Sequence, residues 1–245
     1  MFILLENIFF KSIKNWDNKT WLSSSSYIKS FNKFLIKHGK LTHNSKIIDV
    51  GCGRGRILGH LFSKLKLRTK PIGVDLEKHK DRETRIIFKN VDAITFFKQS
   101  NANFDLILIK QTIHLLKIFE IKKLLNFCRN RLNHDGKIVI LTLDPYRNEI
   151  PTFSLMRRHL TISLKRDRKI TKFISKLYSA KIKKKFIFNV KISKKKYLEM
   201  IKNRYISTLL KFTNKEILEG ADEINLKYKK VLEFKDKLQC IIIKK

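Results

Sequence analysis

Gly51-Cys-Gly-Arg-Gly55 holds three of the chain's eight glycines, and Gly59 adds a fourth. A chain so sparing of glycine clusters it where the backbone must turn tightly and something must approach it closely. The run follows a short apolar segment, Lys46-Ile-Ile-Asp-Val50, and leads into Ile57, Leu58, Leu61, Phe62 and Leu65 at helical spacing. A glycine-rich turn between strand and helix offers free N–H groups to a polar or anionic ligand. Carboxylates accompany it: Asp49, two residues before the first glycine, then Asp75 and Asp92 at the ends of two further strands. Asp75 stands where a carboxylate accepts hydrogen bonds from two vicinal ribose hydroxyls; a loop acid capping the next helix would occupy the same place. Asp92 is placed to reach an adenine amino group or to cap a helix before Ile94. His114 is the candidate general base, and a packing histidine would look the same.

The elements that must hold these groups alternate. Strands are predicted at 46–50, 71–75, 85–89, 104–109 and 137–142, with a helix over 118–132 and a turn at His134-Asp-Gly136. Such alternation specifies a Rossmann-like, doubly wound, mostly parallel sheet with helices on both faces. Residues 6–40 and 146–180 read as helical, 185–192 as a strand, 194–232 as helices and 238–243 as a last strand. The two late strands complete a seven-stranded sheet along one edge, with a helical lid insertion between strands five and six. One domain is expected over 1–245: a helical cap (1–45), a core (46–145), a basic lid that includes strand six (146–215), and a closing helix and strand (216–245).

Asp49-Val-Gly-Cys-Gly-Arg-Gly55 resembles the first motif of class I S-adenosylmethionine-dependent methyltransferases, acid-x-Gly-x-Gly-x-Gly. A dinucleotide loop of the Gly-x-Gly-x-x-Gly type would need glycine at position 56, where Arg56 stands. The resemblance extends over 46–143. It includes Asp75, the pair Asp92-Ala93, Phe104-Asp-Leu-Ile-Leu-Ile109 and Leu132-Asn-His-Asp-Gly136-Lys. The tail, with Tyr197-Leu-Glu-Met-Ile-Lys-Asn-Arg-Tyr205, is similar to the small-molecule branch, the ubiquinone-biosynthesis and trans-aconitate type. The resemblance implies S-adenosylmethionine as cofactor and a small-molecule acceptor. It implies that Asp49 orients the loop or meets the methionine amino group, and that Gly51 and Gly53 let the backbone touch the methionine moiety. It implies that Asp75 holds the ribose, that Asp92 and the Ala93 backbone face the adenine, and that Lys110 and Gln111 lie beside the sulfonium. Ile109-Lys-Gln-Thr-Ile-His114 lacks the Asp/Asn-Pro-Pro-Tyr/Phe pattern of base-amine methylation, and Asp144-Pro-Tyr146 falls after the wrong strand.

Composition bounds the rest. The formal charge is +34, and 157–196 carries 16 Lys and Arg against one acid, Asp167. This charge is read either as a lysine-rich solvated surface or as a site for an anionic acceptor or an RNA backbone. Cys52, Cys128 and Cys240 are too scattered for a disulfide framework or a zinc site. No metal is expected. Met1–Phe10 has no basic lead, Glu6 and Asn7 interrupt it, and no segment is apolar enough to span a bilayer, so a cytoplasmic protein with reduced thiols is expected.

Overall fold

The computed structural model describes residues 20–180 and 184–245; of the segment 6–40 that reads as helical, the part before residue 20 lies outside them. The chain divides into two compact units.

The larger unit comprises residues 28–143, 167–186 and 238–245. Strands β1 (Ile47–Val50), β2 (Ile72–Asp75), β3 (Ile87–Asn90), β4 (Phe104–Lys110) and the paired part of β5 (Leu132–Leu143) run parallel. β6 (Lys184–Ser193) and β7 (Val231–Lys244) follow, with β7 antiparallel to β5 from Lys137↔Lys244 to Leu143↔Leu238. The sheet order is β3-β2-β1-β4-β5-β7-β6, the seven-stranded, mostly parallel sheet that the alternation required. β1 and β4 are mostly apolar, with Ile47, Ile48 and Val50 and then Leu106 to Ile109 all buried, because both faces of these strands are covered; Asp49 is the one acid buried among them. Helices α1 (Ser25–Gly39), α2 (Arg56–Leu65), α3 (Ala93–Gln99) and α4 (Ile118–Asn130) flank the sheet. Ile121, Leu124, Leu125 and Cys128 of α4 are fully buried in the same cluster as Ile48, Ile107 and Ile109.

Three features differ from the sequence reading. His134-Asp-Gly136 is no separate turn: β5 begins at Leu132, paired with Phe104, and the register shifts before Leu106↔Lys137. Gly136 is required at that irregularity, because a Cβ there would lie 2.7 Å from the Phe104 carbonyl. Between β2 and β3 no helix forms; residues 76–86 make the crossover as a loop. The basic segment 157–196 is not one piece. Helix α5 (Ser154–Leu177) carries Ile170 and Ile174 in the larger unit's core, with Ala180 beyond it, while 187–196 belong to the smaller unit.

The smaller unit holds the described part of 1–27 together with 144–166 and 187–237. Helices α6 (Lys194–Lys202) and α7 (Asn214–Lys227) lie in it. Thr213 and Glu216 cap α7 reciprocally. Trp21 donates from Nε1 to Asp236 at 3.0 Å and meets Tyr205 and Phe234 edge-on. The Tyr197 hydroxyl donates to the Pro151 carbonyl at 2.6 Å and lies 2.8 Å from the Tyr205 hydroxyl. Among the described residues no helix is long and apolar enough to cross a membrane.

Candidate active site

The glycine loop connects β1 to α2, and Gly51, Gly53 and Gly55 all have left-handed backbones, with φ of 74°, 53° and 74°. The reason for glycine differs along the loop. A Cβ at Gly51 would strike Thr112 Oγ1 at 2.1 Å, and one at Gly55 would strike Ile86 Cδ1 at 2.2 Å. These two serve the protein's own packing. A Cβ at Gly53 meets nothing within 4 Å, so this stretch of backbone borders open space. Beside it the loop is stitched to β2: the Gly51 and Cys52 amides donate to the Val74 carbonyl at 2.8 and 3.2 Å. The Gly53 amide donates to Asp75 Oδ2 at 2.7 Å.

Asp75 caps no helix, since none follows it. Its Oδ1 accepts from the Glu77 amide at 2.9 Å, so the carboxylate is fixed at the rim of the loop by one bond on each oxygen. Each oxygen keeps a further lone pair for a hydroxyl. Asp49 is buried below the loop, and its Oδ1 has no hydrogen-bond partner among the described residues. Burial pushes its carboxyl up to about 8; Lys110 pulls the other way and Asp75 adds to the rise. A buried, under-satisfied acid needs a partner, and a cationic amine placed against it would supply both a charge and donors.

Asp92 is the N-cap of α3, with Oδ1 accepting from the Thr95 amide at 2.9 Å. The capping alternative is therefore realised, and an adenine contact is left to the other oxygen and to the Ala93 backbone at the helix start. Lys110 ends β4 with its ammonium 5.5 Å from the centre of the Phe31 ring on α1, a cation–π contact. Gln111 follows with φ of 55°, an uncommon conformation for a residue with a side chain, pinned by its amide donating to Leu141 at 2.8 Å. His114 lies in the short 3-10 turn Ile113–Leu115, with Nδ1 turned out of solvent. Asp49, Gly51, Gly53, Asp75, Asp92, Ala93, Lys110 and Gln111 thus lie in or just beyond the carboxyl ends of β1–β4, where open α/β sheets bind ligands. Cys52 fills a small space, its Sγ 2.7 Å from where a Gly73 Cβ would stand, and burial keeps its thiol protonated. His134 is fully exposed and takes no part in this cluster.

The sequence reading missed Arg54. Its side chain is 1% exposed, and Nε donates to both Asp81 oxygens at 2.7 and 2.8 Å. The Arg54 carbonyl accepts from the Glu83 amide at 2.8 Å. Glu83 in turn occupies the space that any side chain at Gly59 would need, with carboxyl atoms 2.3 Å from that Cβ position. The loop that replaces a helix between β2 and β3 is thus tied under the glycine turn, and an arginine between two glycines was the signal for it. Asp81 is held below the usual carboxylate range, first by the Arg54 hydrogen bond. A depressed folded-state pKa stabilises above the unfolded value and is lost as pH falls through the folded one, so this tie persists through neutral pH and fails only in acid. Asp81→Ala is expected to cost about 1–2 kcal/mol in urea unfolding at neutral pH. That is the low end for a charged hydrogen bond, because Asp81 is half exposed. The deficit should shrink in acid, where wild type loses the same tie.

These residues fit S-adenosylmethionine: Asp49 for the methionine ammonium, Asp75 for the ribose hydroxyls, and the bare Gly53 backbone for close approach. Comparison with known proteins agrees. A family model described as a methyltransferase domain matches residues 41–205. A putative methyltransferase from an antibiotic biosynthesis pathway of Anabaena variabilis has a similar fold, with TM-score 0.60 and 13% identity over 86% of this chain and 96% of that one. YjhP of E. coli gives 0.59 and 12% identity over 98% and 100%. Comparison with curated proteins finds no match. Motif, sheet order and family model converge: the chain belongs to the methyltransferase-domain family, the class I S-adenosylmethionine-dependent methyltransferases.

Proposed function

We propose that this methyltransferase acts on a small, anionic acceptor by in-line displacement, with His114 as the proton acceptor where the acceptor must lose a proton. The bound cofactor supplies an activated methyl on a positive sulfur. The chain's own task is to place and enclose it. Asp49 orients the amino acid end, Asp75 fixes the ribose, and Asp92 with the Ala93 backbone borders the adenine. Lys110 and Gln111 border the end where the acceptor arrives, and the left-handed turn at Gln111 leads the chain on to His114. Orientation and water exclusion are the main gains available to such a reaction. The observation that carries the anionic acceptor is Lys110, a cation at the end of β4 in a chain of net charge +34.

The test is a screen of small carboxylates, phenols and amines with methyl-labelled cofactor. Label transferred to an anionic small molecule supports the reading; label transferred to RNA or protein alone contradicts it. With a phenolic acceptor, His114→Gln should lower kcat by about 100-fold while cofactor affinity stays unchanged, and the acid limb of the pH–rate profile should disappear. An unaltered kcat would assign His114 to packing.

A further inference from the structure

One face of the larger unit has a character that methyl transfer does not use. Leu115, Ile118 and Phe119 are 48%, 45% and 65% exposed, three large apolar side chains within five residues at the start of α4. They are not the helix's core face, which is Ile121, Leu124, Leu125 and Cys128, all fully buried. One helical turn on from Ile118 and Phe119 stand Lys122 and Lys123, and Arg129 continues the exposed side. The second half of α5 packs alongside. Ile170 and Ile174 share the α4 core cluster, and the Tyr178 hydroxyl just beyond donates to Asn126 Oδ1 at 2.7 Å. Its outer side presents Arg168, Lys169, Lys172 and Lys176. Acids are few here: Asp167 is buried, Glu120 is half-buried and spent on the Lys117 amide at 2.7 Å, and the half-buried Asp92, beside Lys123, is spent on capping α3.

Lysine-rich composition alone does not account for this. Helix α7 carries Glu216, Glu219, Asp222 and Glu223, so the chain does place acids on its helices. The exposed sides of α4 and the second half of α5 are strongly basic, and α4 begins on an apolar ledge. We propose that it is a peripheral docking surface for an anionic lipid bilayer. Nucleic-acid backbone would satisfy the lysines and arginines but has nothing to offer Leu115 and Ile118. A bilayer satisfies both sets: headgroups meet the cations while the Leu115, Ile118 and Phe119 side chains enter the acyl boundary. Either signal alone anchors weakly, and their combination is what holds a protein at a membrane surface. The ledge follows directly on Lys110 and Gln111, so docking brings the acceptor end of the site to the lipid interface. The inference rests on the surface and stands whichever acceptor is used.

Flotation with vesicles of phosphatidylcholine alone, and of equal parts phosphatidylcholine and phosphatidylglycerol, tests it on the full chain. The protein should float with the anionic vesicles only, and less so as salt rises. The double variant Ile118→Ser, Phe119→Ser and the triple variant Lys169→Glu, Lys172→Glu, Lys176→Glu should each lower partitioning by roughly tenfold or more. Both variants should titrate S-adenosylmethionine like wild type, which establishes that they are folded. In Phe119→Trp, lipids brominated in the acyl chain should quench the new emission. The proposal is overturned by absence of flotation, by flotation indifferent to Ile118 and Phe119, or by no quenching. It is equally overturned if single-stranded polyuridine binds the face with a steep salt slope and removes the protein from vesicles regardless of the apolar pair.

Discussion

Gly53→Ala is expected to lose cofactor affinity by tenfold or more in a protein that remains folded. The two consequences separate because the added methyl meets nothing in the protein within 4 Å. The only folding cost is the left-handed φ of 53°, on the order of 1–2 kcal/mol for a residue with a Cβ. The loss of binding comes from occupying the space that a ligand pressed to the loop requires. Gly51 gives no such separation, since its Cβ would overlap Thr112 and displace the loop itself. Thermal unfolding and isothermal titration of the same Gly53→Ala preparation check both halves. Unchanged affinity would mean that the ligand does not approach the loop at Gly53.

The second large effect is expected at Asp49, where one substitution should move stability and binding in opposite directions. The carboxyl is buried, lacks a partner on Oδ1 and is raised to about 8. The native protein therefore binds a proton that the unfolded chain releases across the range from the usual carboxylate value to about 8. By linkage, wild-type stability is full in acid and falls as pH rises through that window. Asp49→Asn does not titrate, so it should gain stability relative to wild type as pH rises, with the difference levelling above about 8. Cofactor binding should respond oppositely. A methionine ammonium favours the ionised carboxylate, so wild type should bind more tightly towards pH 8 and release a proton on binding. Asp49→Asn should bind about 1.5–3 kcal/mol more weakly with a flat pH profile, the range for hydrogen bonds to charged groups. Titration in buffers of different ionisation enthalpy measures the proton directly. A wild type that releases none would remove Asp49 from the ammonium contact.

The cofactor side of the site was legible because its requirements are local. Three glycines at positive φ, an acid before them and acids at successive strand ends are dictated by the strand-to-helix turn and are visible as residue types at fixed spacing. The parallel sheet is legible for a similar reason, since β1 and β4 are short, mostly apolar segments between helical ones. Long-range packing was not. Nothing in Asp81 or Glu83 announces that they lie under Arg54 and Gly59, because that depends on a loop taking the place of a helix. His134-Asp-Gly136 has turn composition, yet the strand pairing of Leu132 with Phe104 overrides that local preference. The charge of 157–196 was read as one segment, whereas burial of Ile170 and Ile174 ties part of it to the core and leaves only the outer side of α5 basic.

The central claim is that the cradle formed by Asp49, Gly53 and Asp75 holds S-adenosylmethionine. Isothermal titration of S-adenosylmethionine into the wild-type chain and Asp75→Ala at neutral pH tests it most directly. One site per chain is expected in the wild type, displaced by S-adenosylhomocysteine, with Asp75→Ala weaker by about 1.5–3 kcal/mol as its ribose hydrogen bonds are lost. A folded wild type that gives no binding heat and no thermal shift with either ligand, or an Asp75→Ala variant that binds as tightly as wild type, would contradict the account.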